Sequence, residues 1–346
     1  MTKSQIKALD DFIAEYCPEN HFSGTIRITE RDEVTFERFI GMENIASGIP
    51  ISADTVYTFY SLSKPFCAIG LLKLYDRGLV DLDAHPSKYV PEAAGFDPRV
   101  TIRQILCHIS GLPDPEQDTD FHKRYPDPSD DPRNHIAELA TYPRQSEPGT
   151  VGRYANINFV MTALIIENVS GMDYADYMAK EVLAVLGMTT AQVDKPDLVI
   201  PHRAQGYALD GDKVVPIDRS LWWMKGAGDI VGRVDDVYRL NLAIKNKTLL
   251  APETWDMAYT PSPLNSMGMG CTVTDWYGKR RITHNGGHLG FRTFHVQLPE
   301  DDFDFILMSN CGWGNARWDF AEKIHDIVYG NTPERAAEIQ LDRGYI

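Results

Sequence analysis

The chain has 346 residues, 43% hydrophobic and 24% charged, ordinary globular values that exclude a disordered chain, a collagen-like repeat and a coiled coil. Its 49 acidic and 34 basic residues give a net charge of −15, which argues against nucleic acid and anionic membrane surfaces as partners. The length suggests one large domain or two ordinary ones, with core enough to need no disulfide or metal staple.

Residues 1–17 lack the apolar stretch of a signal peptide and carry Asp10, Asp11 and Glu15, so the expected location is the cytoplasm. Ile6, Leu9, Ile13 and Tyr16 share one helical face and predict a docked amphipathic helix. Gly24 to Thr29 and Val34 to Ile40 read as a β-hairpin around Glu30-Arg31-Asp32. Pro65 to Tyr75 is apolar on nearly every face and stops before Gly78, the pattern of a helix buried in a core. From there to about residue 260 the chain reads as mainly helical. Thr101 and Gln104 form a capping box, and Asp131-Pro132 suits a helix start. Asn158 to Val169 ends at Gly171, Asp173 caps a helix toward Leu186-Gly187, and Asp235 starts another. Asp114 to Arg133, acidic and rich in proline, reads as a long loop. Strands return at Gly270–Asp275, Arg281–His284, Phe291–Leu298 and Phe303–Met308, followed by a helix over Ala316–Tyr329.

Five cysteines, Cys17, Cys67, Cys107, Cys271 and Cys311, show no CxxC pair and no metal-ligand spacing; they read as buried thiols of a reduced compartment. The ten histidines form no HExxH or HxH, so neither a metal nor a cofactor is expected.

Three short motifs carry chemistry. In Ser61-Leu62-Ser63-Lys64 the serine is a weak nucleophile that needs a base. Three residues on, Lys64 shares its helical face, and the apolar helix behind it favours a neutral amine. A second SxxK, Ser4 to Lys7, lies on an amphipathic surface helix with no apolar run behind it and is set aside. Tyr154-Ala155-Asn156 follows Pro148-Gly149-Thr150 on a loop before a long apolar helix; the phenol can share protons with a serine, and the amide can hold both lysine and substrate. Tyr329-Gly330-Asn331 repeats the spacing at the C-terminus. At the end of a predicted strand, His284-Asn285-Gly286-Gly287 lets a substrate backbone approach and offers an N–H to an oxyanion hole. His288-Leu289-Gly290 competes, but the first copy directly follows the strand. Trp222-Trp223 precede Gly226-Ala227-Gly228, large rings that suit core packing as well as a ligand.

These segments resemble the serine β-lactamase-related family of class C β-lactamases, DD-peptidases, D-aminopeptidases and certain esterases. YTFYSLSKPF resembles the segment around that family's nucleophile, and TIRQILCHISGLPD looks like its "LLTHTSGLP" segment. EPGTVGRYANINFVMTALIIENVSGMDYADYMAKEVLAVLGM matches its tyrosine motif and following helix. GAGDIVGRVDDVYRL resembles "GGLxSTxxDL", and HNGGHLGF matches the third motif. In family order they span roughly residues 23 to 310.

The resemblance implies that Ser61 attacks a carbonyl to form an acyl-enzyme, and that Lys64 and Tyr154 together move the proton. It implies that Asn156 positions Lys64 and the substrate amide, and that the N–H groups of Ser61 and Gly287 form the oxyanion hole. Where many family members carry Lys-Thr-Gly, this chain has His284-Asn285-Gly286. A mostly neutral histidine is a weaker carboxylate anchor than an ammonium, which argues against efficient β-lactam hydrolysis. Ala155 and Gly232 stand where serine is usual.

The expected fold is α+β and β-lactamase/transpeptidase-like: an antiparallel sheet flanked by helices, discontinuous over 1–75 and 260–346, with a mainly helical domain over 76–259 and the active site at their interface. The expected function is hydrolysis of a small ester, amide or D-amino-acid peptide through an acyl-serine. Ser61, Lys64 and Tyr154 are the catalytic candidates; Asn156, His284, Gly286, Gly287, Trp222 and Trp223 are the substrate-binding candidates. The alternatives are a β-lactamase proper, or a catalytically silent member that binds a ligand or assembles with itself. The expected partner is a small molecule, with no nucleic acid or membrane.

Overall fold

The computed structural model describes residues 1–115, 131–195, 197–217, 224–314 and 316–330. The long-loop expectation over 114–133 and the Trp222-Trp223 pair fall largely or wholly outside them. The chain divides into two compact units: Met1–Tyr57 with Ile200–Arg219 and Thr274–Ile346, and Thr58–Val199 with Ser220–Val273.

The first unit is built on an antiparallel sheet. Its strands are β1 (Gly24–Glu30), β2 (Glu33–Ile40), β3 (Thr272–Trp276), β4 (Lys279–His288), β5 (Phe291–Leu298) and β6 (Phe303–Ser309). They lie side by side in the order β3-β4-β5-β6-β1-β2, so the N-terminal hairpin joins the C-terminal strands through β1 and β6, with Ile26 opposite Leu307 and Ile28 opposite Phe305. One sheet face buries Ile26, Ile28, Phe294, Val296, Phe305 and Leu307. Against it pack the helices Lys3–Glu19, through Leu9, and Ala316–Tyr329, through Phe320 and Ile324. Phe12 meets Phe320 edge-on at 5.1 Å, and Tyr16 donates to Asp319 at 2.6 Å. The two amphipathic helices are the ones the sequence pattern predicts, because each must cover the same apolar sheet face.

Two features of this unit differ from expectation. The strand carrying His284 does not end there. It runs to His288, with Asn285 opposite Phe294 and Gly287 opposite Arg292, because β5 begins only three residues after β4 ends and pairs with it throughout. Residues 200–219, read as part of a helical stretch, hold a hairpin of Gly206–Asp210 with Lys213–Ile217. A two-residue turn, Gly211-Asp212 with Gly211 at φ 60, closes it between the paired Asp210 and Lys213, a hairpin signal. Tyr207 N–H donates to the Asn310 carbonyl at 3.0 Å, and Gly312 N–H to the Tyr207 carbonyl at 2.8 Å.

The second unit is mainly helical. At its centre is the helix Lys64–Asp76, with Pro65 in the first turn and Phe66, Cys67, Ile69, Leu71, Leu72 and Leu74 buried. A helix apolar on all sides must be surrounded. The helix Ile157–Ser170 packs beside it, and its end at left-handed Gly171 matches the sequence signal. A side chain at Gly70 would meet Met178 Sδ at 2.9 Å and Ile166 Cδ1 at 3.3 Å. The Thr101–Gln104 capping box and the Asp131 cap both form. Asp173 caps Tyr174–Tyr177, after which the chain widens into a π-turn over Met178–Leu183. The helix predicted to start at Asp235 covers Val234–Asn246; Asp236 closes its first turn by accepting from Arg233 N–H at 2.9 Å. Asp235 instead pairs with Arg239 at 3.1 Å.

Candidate active site

In the second unit a single turn of 3₁₀ helix, Tyr60–Ser63, leads into the Lys64 helix. Residues three apart eclipse on such a turn, so Ser61 and Lys64 are aligned more closely than on the α-helix the motif suggested. Tyr60 holds φ 48, a conformation that a bulky residue adopts only when its surroundings impose it. The turn is pinned on both sides: Phe59 N–H donates to the Ile230 carbonyl at 2.9 Å, and Ile230 N–H donates to Ser63 Oγ at 2.9 Å.

Lys64 is fully buried. Its Nζ donates to Ser61 Oγ at 3.1 Å, to Asn156 Oδ1 at 2.8 Å and to the Ala227 carbonyl at 2.7 Å. These three oxygens match the three donors of an ammonium, whereas a neutral amine has only two N–H groups. The aromatic faces of Tyr154 and Phe159 lie 4.8 and 5.7 Å from Nζ and offset part of the burial cost of a cation. The structure thus supplies acceptors that the apolar helix alone did not announce. Tyr154 remains 44% exposed and its hydroxyl donates to Ser61 Oγ at 2.8 Å. Ser61, Lys64, Tyr154 and Asn156 form one hydrogen-bonded cluster, although 93 residues separate Ser61 from Tyr154.

Several groups around this cluster were not singled out by sequence reasoning. The Ala227 carbonyl belongs to a tight turn in which Ala227 N–H and Gly228 N–H both donate to the Met224 carbonyl. Gly226 stands there at φ 73, and a side chain would lie 2.6 Å from the Phe159 carbonyl, so only glycine lets the turn approach the Ile157–Ser170 helix this closely. A carbonyl has no residue signature, which is why this contact is invisible in the sequence. Asn156 N–H donates to Asp114, and His108 flanks Tyr154; both lie in the TIRQILCHISGLPD segment. His284 sits in the first unit as a buried strand residue of β4, with Nδ1 2.6 Å from the Asn285 carbonyl. Gly286 and Gly287 follow on the same strand. Among the described residues no three His, Cys, Asp or Glu side chains gather as a metal site. Among the described residues no helix is long and apolar enough to cross a membrane.

Asp229 anchors the same turn: its Oδ2 accepts from Gly226 N–H at 2.9 Å, while Oδ1 finds no hydrogen-bond partner among the described residues. Burial pushes its carboxyl up to about 7, with Asp194 adding to the rise and Lys225 opposing it. Because this value lies above the unfolded one, Asp229 favours the fold below about pH 4 and loses that contribution as pH rises toward 7. Melting temperature is therefore expected to fall between pH 5 and pH 8 more in wild type than in Asp229→Asn. Identical pH dependence in the two proteins would refute the assignment.

The sequence profile of the Beta-lactamase family matches residues 9–324. The chain belongs to this family. A penicillin-binding protein of Bacillus subtilis (strain 168) is 26% identical over 337 residues, covering 90% of this chain and 73% of the relative. The penicillin-binding protein from Bacillus halodurans has the same fold, with a TM-score of 0.78 at 22% identity over 91% of this chain and 98% of that one. A D-stereospecific amidohydrolase from Streptomyces sp. superimposes with a TM-score of 0.77 at 20% identity, covering 95% and 98% of the two chains. The fold is thus the α+β penicillin-binding-protein and β-lactamase type that the motif series implied.

Proposed function

We propose that this protein is a serine hydrolase that forms an acyl-enzyme on small esters, amides or D-amino-acid-containing peptides. The observation that carries the reading is the position of Ser61 Oγ, hydrogen-bonded by both Lys64 Nζ at 3.1 Å and the Tyr154 hydroxyl at 2.8 Å. In this reading the Lys64–Tyr154 pair, which titrates as a unit, acts in the form that holds one proton fewer than an ammonium plus a phenol, as amine with phenol or ammonium with phenolate, and Oγ attacks the carbonyl carbon while its proton passes into that pair. The tetrahedral intermediate collapses, the C–O or C–N bond breaks, and the pair returns the proton to the leaving alkoxide or amine. Water then attacks the acyl-serine, giving up a proton by the same route. Asn156 holds Lys64 through Oδ1, and its amide N–H₂ serves the substrate carbonyl. On the strength of the motif alone, His284, Gly286 and Gly287 are assigned to substrate binding. The substrate class draws on the family and on the D-stereospecific amidohydrolase of the same fold. Histidine in place of lysine at 284 puts esters and peptides ahead of β-lactams.

Intact-mass spectrometry after incubation with benzylpenicillin, p-nitrophenyl butyrate or a D-alanyl p-nitroanilide tests this. Wild type is expected to release p-nitrophenol or p-nitroaniline, and an acyl mass is expected on Ser61 with whichever substrate deacylates slowly. Ser61→Ala should show neither. Adduct and turnover persisting in Ser61→Ala would remove Ser61 as nucleophile, and inertness of wild type toward all three would favour a silent binding protein.

A further inference from the structure

We propose that His108 is a positioning residue for the active-site tyrosine, holding the Tyr154 hydroxyl against Ser61 by gripping the chain on both sides of the tyrosine and stacking on its ring. The proposal rests on the reading of Tyr154 as a catalytic group. Arg153 N–H donates to the His108 carbonyl at 2.7 Å. Ala155 N–H donates to His108 Nδ1 at 3.1 Å. Between those two bonds, the imidazole lies on the Tyr154 ring with centroids 4.4 Å apart and planes 20° from parallel. One residue therefore contacts the tyrosine and both of its chain neighbours.

The histidine is itself held in place. It is fully buried, and Nδ1 also accepts from Asn158 Nδ2 at 3.2 Å, whose Oδ1 accepts from Ser110 Oγ at 2.8 Å. Its backbone stands at φ 54, a left-handed conformation that asparagine and histidine tolerate better than most residues. The backbone N–H of Ala155 can only donate, so Nδ1 carries no proton and the ring is the neutral tautomer with hydrogen on Nε2. Tyr154 needs such support because it is half exposed. A hydroxyl that must meet Ser61 Oγ at 2.8 Å tolerates displacements of only about 0.5 Å, and about 1 Å can cost on the order of 10²-fold in rate.

Two substitutions separate the two holds. His108→Phe keeps a ring to stack and loses the Nδ1 acceptor. His108→Asn keeps an acceptor and suits the left-handed backbone, but loses the stack. With p-nitrophenyl butyrate, each is expected to lower kcat by about 10- to 100-fold while KM stays within about 2-fold. Introduced into Tyr154→Phe, neither should lower kcat further, because a residue that acts through Tyr154 has nothing left to position; a merely structural role would add its loss in full. Nitrogen-15 spectra of histidine-labelled wild type, assigned with the His108→Asn variant, should show the Nε2–H tautomer at His108. Wild-type kcat in both single variants, full additivity in the double variants, or hydrogen on Nδ1 would overturn the proposal. If Tyr154→Phe itself keeps full activity, the catalytic reading of the tyrosine fails instead, and this inference falls with it. Should His108→Phe not fold, the asparagine variant and the tautomer decide.

Discussion

Ser61→Ala is expected to lower kcat/KM on a p-nitrophenyl ester by at least about 10³-fold, the scale on which hydrolases lose rate when their nucleophile is removed. The change deletes one oxygen from a side chain that is only partly buried, so no large cavity opens. It removes one acceptor from Lys64 and one from Tyr154. Lys64 keeps Asn156 Oδ1 and the Ala227 carbonyl, and the exposed Tyr154 hydroxyl can turn to water. Melting temperature should therefore move by no more than a few degrees while activity collapses. Retention of more than about a tenth of wild-type kcat/KM would show that the hydrolysis proceeds without an acyl-serine at this position.

Lys64→Met is expected to be as damaging to activity, again about 10³-fold or more, for a different reason. Methionine fills much of the space of the lysine but neither takes nor gives a proton. Ser61 Oγ is left with Tyr154, and the coupled proton path loses one member. The stability outcome balances two terms. Asn156 Oδ1 and the Ala227 carbonyl each lose a donor, costing about 1–3 kcal/mol apiece if they stay unsatisfied. Against that, an amine that is fully buried no longer has to be desolvated, a gain of several kcal/mol for a charged group. The near-cancellation predicts a folded, catalytically inert protein, checked by thermal melting beside initial-rate kinetics. A variant that unfolds at room temperature would show the lysine to be chiefly structural. One that keeps substantial turnover would leave Tyr154 as a base sufficient by itself.

Much of the site could be read locally. The SxxK spacing works on the 3₁₀ turn as it would on an α-helix, since in both cases residues three apart share a face. The apolar run after Lys64 required burial of the helix and hence of the lysine. The helix over Ile157–Ser170 and its end at Gly171 followed from pattern and a left-handed glycine. The motif order also pointed to the family. Less legible were the strands at 206–217, where a two-residue turn and short runs were absorbed into a helical reading. The full length of β4 was missed too, because its pairing with β5 decides where it ends.

The residue types that can do the chemistry, and the three-residue interval joining Ser61 to Lys64, were determined by the sequence alone, because local geometry follows from backbone periodicity. What surrounds Lys64 was decided only in three dimensions. Its acceptors come from Asn156 and Ala227, 92 and 163 residues away, and one of them is a backbone carbonyl that every amino acid carries. The same holds for the grip of His108 on Tyr154, 47 residues apart at the Ala155 N–H. Hydrogen bonds between distant segments depend on how the chain packs, and packing is a property of the whole core.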